Sequence, residues 1–126
     1  MKNENAKNML VQGMSNLVIA HGGEARTTSL TIAEKFGKKH CNVLRSILNL
    51  DCSPGFSRLN FEARDYVDER GKSQPMFEIT RDGFVFLAMA FTGRQAATWK
   101  ESFINAFNAM ERELLKQAHM RATVDW

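Results

Sequence analysis

Long apolar runs are missing from this chain, and so are most of the residue sets that carry chemistry. No run approaches the ~20 apolar residues that span a bilayer, and no charged-then-apolar leader opens the sequence. The expectation is a cytoplasmic protein with no membrane partner. Only two cysteines occur, Cys41 in a helical pattern and Cys52 in the loop after it, which gives a structural disulfide little support. His40, Cys41 and Cys52 lack the C-x-x-C or H-x-x-x-H spacing by which one element supplies two ligands. No metal site is therefore expected, and both thiols read as small, partly buried apolar groups.

Catalytic sets are equally sparse. His21, His40 and His119 are far apart in sequence, and none has an obvious carboxylate to orient it. Asp65, Asp68 and Glu69 fall on a strand end and turn, where carboxylates are usually solvated. Neither G-x-x-x-x-G-K-S/T nor G-x-G-x-x-G is present, so no loop cradles a phosphate. The reading is a protein that is not an enzyme and needs no cofactor.

What is present suits one folded domain. A chain of 126 residues buries roughly two-thirds of its unfolded surface and rarely divides into two cores. Its 44% hydrophobic and 25% charged composition is too apolar for a disordered chain. The net charge of +3 implies little alone, but its distribution says more. From Arg26 to Arg45 there are five cations (Arg26, Lys35, Lys38, Lys39, Arg45) against the single acid Glu34. Between residues 60 and 69, by contrast, Glu62, Asp65, Asp68 and Glu69 surround Arg64. The first segment can offer an anion a basic face, and the second would repel it.

Residues 1–14 read as a flexible segment. LVIA, HGGE and ARTT read as strand, glycine turn and strand. A helix starts near Ser29 or Thr31, with Thr31 and Glu34 at capping-box spacing, and Gly37 ends it. A second helix, about residues 39 to 50, buries Val43, Leu44, Ile47, Leu48 and Leu50 and turns a polar, basic face outward. DCSPGFS reads as a loop. RLNFEARDYV alternates Leu59, Phe61, Ala63 and Val67 against polar neighbours as a half-buried strand broken at Asp65, and PMFEIT returns, completing a hairpin over about 58–80. Thr80 caps a short helix with almost no polar face. A long helix, about 93–117, carries Trp99, Phe103, Phe107, Met110 and Leu114 on one stripe, and the 118–126 tail has no clear period.

A short helix, a glycine turn and a helix with polar and basic residues in its first turn is helix-turn-helix geometry, over about 29–50. There Asn42 can offer a bidentate amide to adenine and Arg45 a fork to guanine, while Thr28, Ser29, Lys38 and Lys39 suit phosphates, with His40 and Ser46 beside them. The same pattern also fits a plain solvated face, with Asn42 and His40 as caps and Arg45 paired to Glu34 or Glu62.

The runs TTSLTIAEKFGKKHCNVLRSI, LNFEARDYVDERGKSQPMFEITRDGFVFLAMAFTG and WKESFINAFNAME, within a stretch from about Leu17 to Leu115, resemble the phage regulatory protein Rha family of temperate phages and prophages. The resemblance implies one Rha-like domain over 15–117 and a phage-encoded regulator in the cytoplasm of the bacterial host. It supplies no catalytic residues. It places nucleic-acid contact on the runs Ser29 to Lys38 and His40 to Ile47, with Cys41 standing where relatives are expected to be acidic or polar. The expected architecture is α+β: a helix-turn-helix, small β-hairpins arranged like a winged helix, and a long C-terminal helix. Two functions follow. One is a transcriptional regulator that binds double-stranded DNA as a homodimer, paired through Ile104 and Leu115 off the main stripe of the long helix. The other is an antirepressor-like module that binds a phage or host regulatory protein instead.

Overall fold

A computed structural model describes residues 16–124. The segment 1–14, read as flexible, and the last two residues of the tail lie outside the described residues. The strands are β1 (Ile19–His21), β2 (Glu24–Thr28), β3 (Phe61–Val67) and β4 (Ser73–Thr80). The helices are α1 (Ser29–Lys35), α2 (His40–Leu48), α3 (Pro54–Asn60), α4 (Arg81–Ala88) and α5 (Arg94–Val124).

The two hairpins join into one antiparallel sheet, in the order β1-β2-β4-β3. β2 meets β4 only at its end, where Arg26, Thr27 and Thr28 oppose Thr80, Ile79 and Glu78. Strand alternation then sorts the side chains. Ala25, Thr27, Phe61 and Ile79 face the helices and are buried. Arg26, Glu62, Arg64 and Glu78 project from the opposite face. Beyond Thr28, β3 and β4 continue as a two-stranded hairpin, which leaves Ala63 and Val67 exposed although the alternating pattern marks them as inward.

An aromatic cluster holds the helical layer on this sheet. Phe84 of α4 stacks on Phe103 of α5 with centroids 4.7 Å apart, and Phe36, at the end of α1, stacks on Phe103 at 5.6 Å. Phe36 also meets Phe91 at 4.8 Å. Ile32, Val43 and Ile47 join the same core, so α1 and α2 are anchored by apolar side chains while the rest of α2 stays in solvent. Gly83 lets α4 come close to its neighbours. A Cβ there would lie 2.8 Å from the Asn60 carbonyl oxygen and 2.9 Å from Ile79 Cγ2.

Several elements differ from the pattern reading. DCSPGFS is not all loop: Ser53 caps α3 by accepting the Phe56 N–H, and Pro54 sits in the first turn, where its missing N–H costs nothing. β3 therefore starts at Phe61, and it runs unbroken through Asp65. Leu59 ends on α3 at 80% exposure, and Leu48, expected in the core, is 73% exposed. Val85 and Met89 likewise leave one side of α4 in solvent. α5 continues through 118–124 to Val124, past the expected end at 117.

Candidate nucleic-acid interface

α1 and α2 are joined by a tight, well-specified turn. Gly37 adopts φ 65°, the left-handed region that side chains disfavour. Its N–H reaches the Glu34 carbonyl at 3.4 Å, and the Lys38 N–H reaches the Ala33 carbonyl at 2.9 Å. These are the two bonds of a Schellman closure. Lys39 then caps α2 with its backbone only, its carbonyl accepting from Asn42 and Val43 at 3.0 and 3.1 Å. Among the described residues, no side-chain hydrogen bond caps this helix.

Val43 and Ile47 point inward, while Cys41, Asn42, Arg45, Ser46 and Asn49 are exposed. Arg45 pairs with neither Glu34 nor Glu62, since Glu34 meets Lys35 and Glu62 bonds Arg26. Its Nη1 instead lies 3.4 Å from the Asn42 Oδ1, which aligns the two side chains on one ridge. Lys38 rests its ammonium over the Phe91 ring at 4.7 Å and remains exposed. Among the described residues, no ion pair involves Lys38, Lys39 or Arg45.

Three candidates behave differently. Thr28, not Thr31, caps α1: it keeps the extended backbone of β2, and its Oγ1 accepts the Thr31 N–H at 3.1 Å. Ser29 is fully buried, so its hydroxyl cannot reach a phosphate. That oxygen accepts the Phe77 N–H at 3.0 Å and lies 2.9 Å from His40 Nε2. His40 also sets its ring edge-on to Tyr66 at 5.9 Å. Burial holds the His40 imidazole below its usual range, so it stands at the base of α2 as a neutral link between α1 and the β3–β4 hairpin.

The open face of the sheet is also charged, but its charges satisfy one another. Arg26 bonds Glu24, Glu62 and Glu78, and Arg64 Nε lies 3.4 Å from Glu78 Oε2. His21 Nδ1 is 2.6 Å from Glu78 Oε1, and Arg64 Nη2 is 2.8 Å from His21 Nε2. With Nδ1–H donating to Glu78, Nε2 is free to accept from the guanidinium. Burial raises the Glu78 carboxyl, but the bonds from His21 and Arg26 outweigh it and hold the group below the usual carboxylate range. Ligand-type atoms of His21, Glu62 and Glu78 lie within 4.8 Å of one another, yet the Arg26 guanidinium already serves both carboxylates where a cation would sit.

At the tip of the β3–β4 hairpin, Asp68 is consumed by its own turn. It accepts the N–H groups of Lys72 and Arg70, each at 2.9 Å, and the amide of Gln74 at 3.2 Å. The Lys72 bond is the largest cause of its depressed pKa, and those from Gln74 and Arg70 add to it. Asp65 and Glu69 stay exposed. On α5, Phe103 and Phe107 are buried as the stripe requires, and Ile104 and Leu115 remain exposed off it.

One feature of this surface escaped the pattern reading. Beside α2 runs a groove of about 480 Å³ with Leu50, Leu87, Ala90 and Phe91 on one side and Asn42, Arg45, Ser46 and Asn49 on the other. Leu87 and Phe91 come from α4 and the segment after it, some 40 residues on from α2. No local periodicity could have brought them together.

These features define an α+β protein whose four-stranded antiparallel sheet carries a helix pair and a long C-terminal helix. The chain belongs to the family described as phage regulatory protein Rha, whose profile matches residues 27–112. It is 39% identical over 119 residues to an uncharacterized 22.8 kDa protein in the gp15-gp3 intergenic region of Salmonella phage P22, covering 89% of this chain and 59% of that protein. An uncharacterized protein of Haemophilus influenzae is 40% identical over 97 residues, covering 74% of this chain and 56% of the relative. YoqD of Bacillus subtilis is derived from the SPbeta prophage and bears a name that proposes an antirepressor. It is 30% identical over 101 residues, covering 77% of this chain and 40% of its own. The chain thus spans about 40 to 59% of the length of these relatives. No solved structure matches it. No described helix is long and apolar enough to cross a membrane.

Proposed function

We propose that this phage regulatory protein is a transcriptional regulator that binds double-stranded DNA through α2, as a homodimer in the bacterial cytoplasm. One observation carries the reading. Among the described residues, Lys38, Lys39 and Arg45, on and beside one exposed helix, take part in no ion pair, whereas the sheet-face arginines Arg26 and Arg64 are engaged by carboxylates. Asn42 and Arg45 share its ridge, at the positions from which a helix in the major groove reaches base edges, and the β3–β4 hairpin stands beside it as a wing would. Thr28 and His40 position this helix pair, and Ser29 supports it from within. Dimerisation falls to Ile104 and Leu115. α5 has 31 residues and so runs about 46 Å, and pairing two such helices would set two copies of α2 at fixed spacing.

The test is the combined Lys38→Ala, Lys39→Ala and Arg45→Ala variant, titrated against DNA over a range of salt. Its affinity should fall, and the slope of log affinity against log salt should flatten by about 0.9 for each phosphate that is no longer neutralised. A folded variant with unchanged affinity and slope removes α2 from the interface. The name of the Bacillus relative favours the second reading, an antirepressor-like module that binds a regulatory protein. In that case association with the partner protein would survive the triple substitution and depend little on salt.

A further inference from the structure

The groove beside α2 and the tip of the β3–β4 hairpin are complementary in both charge and polarity. The groove has a buried apolar floor, Leu87 and Phe91, and a cationic rim: Arg45 lines it and the Lys38 ammonium lies over the Phe91 ring. The hairpin tip offers the converse at Asp65, Val67 and Glu69, although its turn also holds two exposed cations, Arg70, paired with Asp68 at 3.3 Å, and Lys72. Val67 is 72% exposed, and Asp65, two residues before it on the same strand, projects to the same side. Glu69 follows in the turn. Among the described residues, neither Asp65 nor Glu69 takes part in an ion pair.

We infer that the groove of one copy receives the acidic hairpin tip of a second copy, with Val67 seated on the apolar floor and Asp65 and Glu69 meeting Arg45 and Lys38. A chain cannot make this contact with itself. Its hairpin is pinned by Tyr66 to His40 on one flank of α2, whereas Asn42, Ser46 and Asn49 line the groove on the other. A two-fold axis parallel to α2 exchanges the two flanks. It lays each hairpin over the partner's groove, so the contact forms twice and the assembly closes. The contact covers Asn42 and Arg45, the ridge assigned above to DNA, and so it holds the protein in a form that cannot bind. This last consequence rests on the DNA-binding reading, but the contact itself does not.

The experiment is sedimentation equilibrium at low ionic strength, without DNA, in an Ile104→Glu, Leu115→Glu background that removes any pairing through α5. Both positions are exposed, and circular dichroism would confirm that the background folds. It should self-associate, and added salt should weaken the association. Arg45→Glu alone, and Asp65→Lys with Glu69→Lys alone, should each weaken association by roughly tenfold or more, because like charges then face one another. An equimolar mixture of the two variants should recover it, since one chain's reversed tip meets the other's reversed groove while the second contact stays native. A background that remains monomeric at millimolar concentration overturns the proposal and leaves the groove to an acidic segment of another protein. Variants that associate like the background, or a mixture that fails to recover, overturn it as well. DNA titration of the same variants reads the α2 interface separately, so failure of one assignment is distinguishable from failure of the other.

Discussion

The open face of the sheet and the exposed ridge of α2 are both charged, and they use charge in opposite ways. On the sheet, two arginines, three glutamates and a histidine form a mutually bonded set, with Glu78 near the centre and its side chain only 12% exposed. Each charge there has a fixed counterpart, so the face contributes to stability and presents little net field. On and beside α2, Lys38, Lys39 and Arg45 take part in no ion pair among the described residues, so their field stays open to an outside anion. The number of charges in a segment therefore says less than whether they are already answered.

Removing a charge from the sheet face should cost most. Arg26→Ala would leave Glu78 and Glu62 without their shared guanidinium. Because Arg26 is still about one-fifth exposed, the full penalty of a buried unpaired ion does not apply, and a loss of about 2 kcal/mol is expected in denaturant unfolding. A variant as stable as the native chain would mean that water answers these carboxylates as well as arginine does.

His40 sits where the two regions meet, and its effect is smaller and depends on pH. Its folded-state pKa lies below the ordinary histidine value of 6.5, so below that pH the unfolded chain binds the proton more readily. Stability is thus fully present above pH 6.5 and declines as the pH falls towards the folded pKa. Between about pH 7.5 and 5.5 the native protein should lose thermal stability, and His40→Gln should lose less, because glutamine does not titrate. Parallel pH profiles would show that burial of His40 carries no linkage.

The smallest effect is expected on α2. Lys39→Ala with Arg45→Ala should change unfolding free energy by no more than about 0.5 kcal/mol, as for surface substitutions without fixed partners. A larger loss would show that the ridge is part of the fold and would erase the contrast with the sheet.

Much of the framework was legible in local signals. Glycines with positive φ at 22, 23 and 37, the cap at Thr80 and the repeat from Trp99 to Leu114 all report on contacts within a few residues, and these elements stand where the pattern puts them. What was not legible depends on distant partners. Val67 alternates like a core residue, but β2 ends before reaching its part of the sheet, so no helix covers it. Pro54 and Gly55 look like loop residues, yet the packing of Phe56 on Phe86 at 5.2 Å accompanies a helical turn there. The candidate site divides in the same way. The exposure of Asn42 and Arg45 follows from helical periodicity and that of Lys38 and Lys39 from their place in the glycine turn, whereas the buried Ser29 is bonded by Phe77, 48 residues away.

That last separation has a consequence for the timing of synthesis. The helix proposed above to meet DNA is made before the residues that secure it. His40 is held through Ser29 by the N–H of Phe77, and Val43 and Ile47 share a core with Phe103 and Phe107. A ribosome adds roughly 5–20 residues each second, so several seconds separate the appearance of α2 from that of its last supports. During that interval the nascent chain carries the basic residues before the core that orients them exists, and α2 takes up its fixed place only once the body of α5 has been made.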